Sequence, residues 1–169
     1  MKEYDFWEDH ERSENPELNK KVNIIVQKVL KTKTIKKSTK EENILGVDWW
    51  HDNYGVDLKF RSEDYGNVSI EPWSSIGYKP GWTWDPHKIS DIICYYWKDT
   101  GRYMILDYVA LRKLTNYNLT MWMNKYWYHI TYQRHKDYLS SCIHIPNHEL
   151  LDCTLFHGNV INLIYDSCT

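Results

Sequence analysis

Leu45-Gly46-Val47-Asp48-Trp49-Trp50-His51-Asp52-Asn53-Tyr54-Gly55-Val56-Asp57-Leu58-Lys59-Phe60-Arg61 is the stretch whose pairing organises the chain. Asp52-Asn53 suits a tight turn, because both residues tolerate the left-handed conformation that hairpins require. Valine and aromatic residues on either side favour strands. With the turn on residues 52 and 53, partners across the hairpin have numbers that sum to 105. Asp48 is then expected to face Asp57. Trp49 faces Val56 and Val47 faces Leu58 on the other side. Lys59 shares a face with Asp57, since side chains two apart in a strand point the same way, and it is expected to face Gly46. A slip by one residue would set Trp49 against Asp57 and mix the two faces.

Two carboxylates directly opposite in a sheet sit roughly 5 Å apart and repel one another. Lys59 offsets part of that cost. A divalent cation between the carboxylates would offset more. Mg²⁺ keeps several waters and takes one or two carboxylates, so two aspartates are a sufficient protein contribution. Acid, acid and lysine around a hydrated cation suit hydrolysis of a phosphodiester. The bland alternative is a solvated strand face carrying a surface ion pair.

Gly46-Val47-Asp48, a short turn, then Val56-Asp57-Leu58-Lys59 resembles the core motif of the PD-(D/E)XK nuclease-like superfamily, in particular its small phage and bacterial members. Glu42, six residues before Asp48, stands where such members often carry an acid. Val68-Ser69-Ile70-Glu71, then Gly81-Trp82, Lys88 and Asp91-Ile92-Ile93, are similar to the later run of the motif. The likeness covers about residues 15 to 110, and more loosely Cys142 to Pro146. Val47 stands where the motif has Pro. The resemblance implies an α/β fold with a restriction-endonuclease-like core, a central mixed β-sheet flanked by helices. It implies Mg²⁺ or Mn²⁺ held by Asp48 and Asp57, with Glu42 and Glu71 as further candidate ligands. Lys59 is then catalytic beside the two aspartates. The implied partner is DNA, with RNA as substrate and a homodimer both left open. Members that have lost catalysis only bind, so the alternative is a phage factor binding nucleic acid or a host protein.

The 169 residues, 42% of them hydrophobic and 15% aromatic, fit a folded domain with a real core. Residues 15–169 are expected to form it, behind an acidic N-terminal arm over 1–14. No apolar run is long enough to span a membrane, and the start of the chain has no apolar signal region. The expected location is the cytoplasm, a host's if the chain is phage-encoded. Net charge is only −2, so bulk charge does not announce a nucleic-acid binder. Its distribution is more telling. Residues 1 to 17 hold seven acids and two basic residues, whereas residues 20 to 40 hold eight lysines and no acid. Lys33, Lys36, Lys37 and Lys40 in that basic connector, with Arg61 and Ser74, are the expected phosphate contacts.

Asn15-Pro16-Glu17 predicts a helix start, and Leu18, Val22, Ile25, Val26, Val29 and Leu30 form its apolar stripe. Asn67 to Glu71 is expected as a third strand of a meander, ending near Asp57. Pro72 to Lys88 reads as a long tryptophan-bearing loop. Asp91 to Trp97 and Tyr103 to Leu106 are strands around a turn, and Asp107 caps a helix from Tyr108 that Asn116 to Asn118 interrupts. Trp127 to Tyr138, with His129, Arg134, His135 and Lys136, mixes aromatic and basic residues. Ser141 to Ile145 is a short strand, Pro146 to Leu155 helical, and Asn159 to Tyr165 a last apolar element. Cys94, Cys142, Cys153 and Cys168 form no C-x-x-C and read as reduced thiols. Cys142, His144, His148 and Cys153 match no standard zinc spacing.

Overall fold

The structure is a computed structural model that describes residues 15–126, 128–133 and 138–160. The acidic arm 1–14, Trp127, Arg134, His135, Lys136, Cys168 and residues 161–165 of the expected terminal element lie outside the described residues.

Helix α1 (Pro16–Leu30) begins as its sequence predicts. Asn15 accepts hydrogen bonds from the N–H groups of Glu17 and Leu18, and Pro16 sits in the first turn. Its stripe buries Val22, Ile25 and Val26 against Val56, Leu58, Ile92, Cys94, Tyr96 and Ile105. Each such side chain contributes about 1.5–3 kcal/mol when fully buried, far more than any exposed ion pair. That face of the sheet therefore belongs to the helix.

Strands β1 (Ile35–Lys37), β2 (Trp49–His51), β3 (Tyr54–Arg61), β6 (Ile92–Trp97), β7 (Arg102–Asp107) and β10 (Thr154–Asn159) form one six-stranded sheet in that order. A second, four-stranded sheet has the order β5 (Lys79–Pro80), β4 (Asn67–Ser75), β9 (Tyr138–Pro146), β8 (Tyr128–Gln133). Ile93, Tyr95, Trp97, Met104 and Leu106 of the first sheet pack on Val68, Ile70, Ile143 and Ile145 of the second. Helix α2 is the five-residue Lys40–Ile44, and Tyr108, Leu111 and Trp122 of α3 (Tyr108–Lys125) join the same core. The fold is thus mixed α/β, with a central mixed sheet of six strands flanked by helices.

From Trp49 to Tyr54 the hairpin has the expected register: Trp49 pairs with Val56, Trp50 with Gly55 and His51 with Tyr54. The expected pair of Asp48 with Asp57 is not part of that ladder, because the Asp48 N–H bonds the Val56 carbonyl and its carboxylate takes the Leu58 N–H. Asp52 takes a positive φ of 52° in the turn. The meander does not form. β3 pairs with β6 in parallel, from Val56 with Ile92 to Arg61 with Trp97, and β4 leaves for the second sheet. The reason is burial: β6 is buried along its whole length, as suits a central strand with both faces covered.

Four smaller expectations are corrected. β4 does not stop at Glu71 but continues to Ser75, with Pro72 tolerated at a bulge between Ile70 and Trp73. The basic connector contains strand β1. Asn116 to Asn118 do not break α3; Asn118 Nδ2 donates to the Leu114 carbonyl and the helix continues. Residues 147–153 form a 3-10 helix and β10 starts at Thr154, so the expected helix is shorter and differently wound.

His51, at the end of β2, is fully buried against α1, with Nε2 2.8 Å from Asn23 Oδ1 and Nδ1 3.5 Å from Thr32 Oγ1. Burial pushes its pKa down to about 4, so it is neutral at physiological pH. No helix among the described residues is long and apolar enough to cross a membrane.

Candidate active site

β3 is amphipathic by strand periodicity. Val56, Leu58 and Phe60 face α1, which sends Asp57, Lys59 and Arg61 to the face shared with the second sheet. Asp57 is 6% exposed, and Lys59 Nζ lies 2.8 Å from its Oδ2. Burial drives the Asp57 pKa up, Lys59 pulls it back and Asp48 lifts it again, leaving it at about 6. For Lys59, burial alone would depress the ammonium, but Asp57 and then Asp48 outweigh it and hold the pKa above its usual value. Lys59 is therefore a cation at neutral pH. Its Nζ also stands 5.4 Å from the centre of the Trp82 ring, which stacks on Tyr108.

Asp48 reaches the site from the segment between α2 and β2. Its backbone N–H bonds to the Val56 carbonyl, where the regular ladder ends. Its carboxylate accepts from the Leu58 N–H at 2.8 Å and from Asn43 Nδ2 at 2.6 Å. Asp48 thus leans alongside Asp57 and Leu58, and its charge acts on both Asp57 and Lys59. Each of its oxygens keeps a second lone pair.

Glu71 sits at the β4 bulge, where Ser74 Oγ donates to its Oε2 at 2.9 Å and its charge acts on Lys59. The turn after β5 presses on the same place. Gly81 N–H donates to the Pro72 carbonyl, and a Cβ on Gly81 would fall 1.6 Å from the Glu71 carbonyl oxygen. Only glycine fits there.

Glu42 is used elsewhere. With Thr39 it forms a capping box on α2: Glu42 Oε2 accepts from the Thr39 N–H at 2.7 Å and Thr39 Oγ1 accepts from the Glu42 N–H at 3.2 Å. Those hydrogen bonds hold its carboxyl below its usual pKa. Gly46 faces Lys88 and not Lys59, since a Cβ there would lie 2.8 Å from Lys88 Cδ. Lys33, Lys36, Lys37 and Lys40 are exposed on and around β1, two strands from β3. Arg61 points inward, where its charge acts on the Tyr95 phenol and the Cys142 thiol. Ser74 is held by Glu71. Cys153 is buried and donates to the Leu150 carbonyl, while the His148 side chain is mostly exposed.

The structure therefore brings Asp48, Asp57, Lys59 and Glu71 together and keeps Glu42 at a helix cap. It adds Asn43, which the sequence reading did not single out, and brings Trp82 and Lys88, quoted above only as part of the later motif run, close to Lys59 and Asp57. Asn43 had a signal, being five residues before Asp48 in a helix that the T-x-x-E pattern at Thr39 announces. Among the described residues, no group of three acidic, histidine or cysteine side chains could by itself hold a metal ion. No protein-family model, curated protein or solved structure matches the chain.

Proposed function

We propose that the chain is a metal-dependent nuclease that hydrolyses phosphodiester bonds of DNA. One observation carries the reading: the Asp48 carboxylate, held by the Leu58 N–H, acts by its charge on the buried Asp57 bonded to Lys59, in a site that leaves Asp57 with a pKa of about 6. A buried carboxylate raised by burial and by a second carboxylate is a group that a cation would stabilise. The oxygen-only donor set suits Mg²⁺ or Mn²⁺, and two protein carboxylates suffice where water and substrate phosphate supply the rest. Asp48 and Asp57 would hold the ion. Once bound, it supplies a more acidic water and neutralises charge on the phosphate.

The chain's own residues do the positioning. Asn43 and the Leu58 N–H orient the Asp48 carboxylate. Lys59 keeps its proton and presents a fixed positive charge for the negative transition state. The Trp82 ring, 5.4 Å from the Lys59 ammonium, adds a cation–π contact that helps fix its position. Glu71 is close enough to act on Lys59 electrostatically and serves as an outer acid, held by Ser74.

The test is incubation of the purified protein with plasmid, single-stranded DNA and RNA in Mg²⁺ or Mn²⁺, with EDTA controls and the Asp57→Ala and Lys59→Ala variants. Cleavage in metal that both variants lose is the expected result. No cleavage of any substrate, or undiminished cleavage by both variants, sinks the reading. A second reading has its own support: Asp48 and Asp57 are already bonded to Asn43, Leu58 and Lys59, so the hairpin closes on itself. A non-catalytic binding protein would show no calorimetric signal with Mg²⁺ or Mn²⁺.

A further inference from the structure

Three consecutive carbonyls before Asp48 each take a donor from the segment before Asp91. Ile44 accepts from Lys88 Nζ at 2.9 Å, Leu45 from the Ile89 N–H at 3.0 Å and Gly46 from Ser90 Oγ at 2.6 Å. Gly46 is the residue that lets Lys88 through. Its φ is +94°, and a Cβ would crowd both Lys88 Cδ and Ser90 Oγ. The lysine is thus placed by the fold and does not hang free on the surface.

What the fold does not give Lys88 is an anion. Among the described residues it has no carboxylate within ion-pair distance, and its one hydrogen bond goes to a neutral carbonyl. Asp57, whose charge acts on it, is already bonded to Lys59. Asp85, the other acid acting on it, accepts from the His87 N–H. A half-buried ammonium without an anionic partner carries an uncompensated desolvation cost. That burial lowers the Lys88 pKa. Two N–H donors of the ammonium are left for a ligand.

We propose that Lys88 is a phosphate-binding residue, whose ammonium takes a backbone phosphate of a nucleic-acid strand lying along the 81–90 turn next to Asp57 and Lys59. The proposal rests on the nucleic-acid reading above and adds the residue that fixes the strand. Lys59 is paired with Asp57 inside the site, whereas Lys88, among the described residues, bonds only a neutral carbonyl.

The test measures binding apart from cleavage. Fluorescence anisotropy of a labelled 20-nucleotide single strand and of its duplex is followed in EDTA from 50 to 200 mM KCl. The proteins are the wild type, Lys88→Ala, Lys88→Gln and Lys88→Arg. Losing one phosphate contact should flatten log K against log salt by about 0.7 for the single strand or about 0.9 for the duplex. Lys88→Ala and Lys88→Gln should both show this, and Lys88→Arg should keep the wild-type slope. Gln keeps most of the aliphatic stem without the charge, so a matching loss in Gln and Ala, with circular dichroism unchanged, assigns the effect to charge and not to folding. Wild-type slopes in both neutral variants overturn the proposal, as does a wild type that binds inorganic phosphate and no oligonucleotide. Cleavage is scored separately in Mg²⁺. A protein that binds with a Lys88-dependent slope but never cuts removes the nuclease and keeps Lys88. One that cuts while the slope ignores Lys88 does the reverse.

Discussion

Asp57→Asn should make the metal-free protein more stable at neutral pH. An ordinary aspartate titrates near 3.8, and burial followed by the repulsion of Asp48, against the attraction of Lys59, lifts Asp57 to about 6. The protonated carboxyl is thus favoured in the folded state by roughly 3 kcal/mol, from the conversion of about 1.4 kcal/mol per tenfold change. The sign follows from linkage. A raised carboxyl contributes stability that is complete below the unfolded value and is lost as pH rises through about 6. At pH 7.5 the wild type has lost that contribution, whereas an amide of the same shape never ionises. Urea denaturation in EDTA, at steps from pH 4 to 8, reads the difference between variant and wild type. It should be small at pH 4 and grow to about 2–3 kcal/mol by pH 7.5. Saturating Mg²⁺ should close the gap by stabilising the wild type alone. A difference that stays flat across this range, or a variant less stable than wild type at pH 7.5, would refute the claim that the fold holds Asp57 at a cost.

Other outcomes follow from the same contacts. Asn43→Ala removes the amide that orients Asp48 and should weaken Mg²⁺ binding by about tenfold or more in calorimetry, with little change in fold by circular dichroism. Glu42→Ala breaks the capping box and should lower the melting temperature while leaving Mg²⁺ affinity unchanged; a loss of affinity would restore Glu42 to the site. His51 is buried neutral with its pKa near 4, so its contribution to stability is present above the unfolded value near 6.5 and is lost as pH falls toward 4. NMR should find its ring still neutral at pH 5.5, and a ring that titrates near 6.5 would contradict the burial. Gly81→Ala puts a methyl into the Glu71 carbonyl and should cost about 3 kcal/mol, the upper end of overpacking costs, measured by denaturant midpoint.

How much of this was legible in the chain depends on the range of the forces involved. Asn15 with Pro16 and the stripe from Leu18 to Leu30 predict α1, because capping and helical periodicity act within a few residues. The alternation around Asp52-Asn53 predicts the pairing of Trp49 with Val56, because a slip would misplace every side chain in the hairpin. Asp57 and Lys59 on one face follow from strand periodicity alone, and their bond at 2.8 Å agrees with it. Thr39 and Glu42 carried a capping signature that was there to be read.

The remaining choices needed partners distant in the chain. Whether β4 lay beside β3 was settled by β6, whose two buried faces claim the central position and send β4 to the second sheet. Whether Arg61 met solvent or Tyr95 depended on that second sheet covering the face. Gly46 left room for a lysine, but only the contact between segments 44–46 and 88–90 made that lysine Lys88 instead of Lys59. The sequence by itself determined the hairpin, its register and the acids and lysine it carries, since those rest on local geometry. The tertiary structure decided which of these charges are buried and which are paired, because desolvation and ion pairing depend on what packs across the gap.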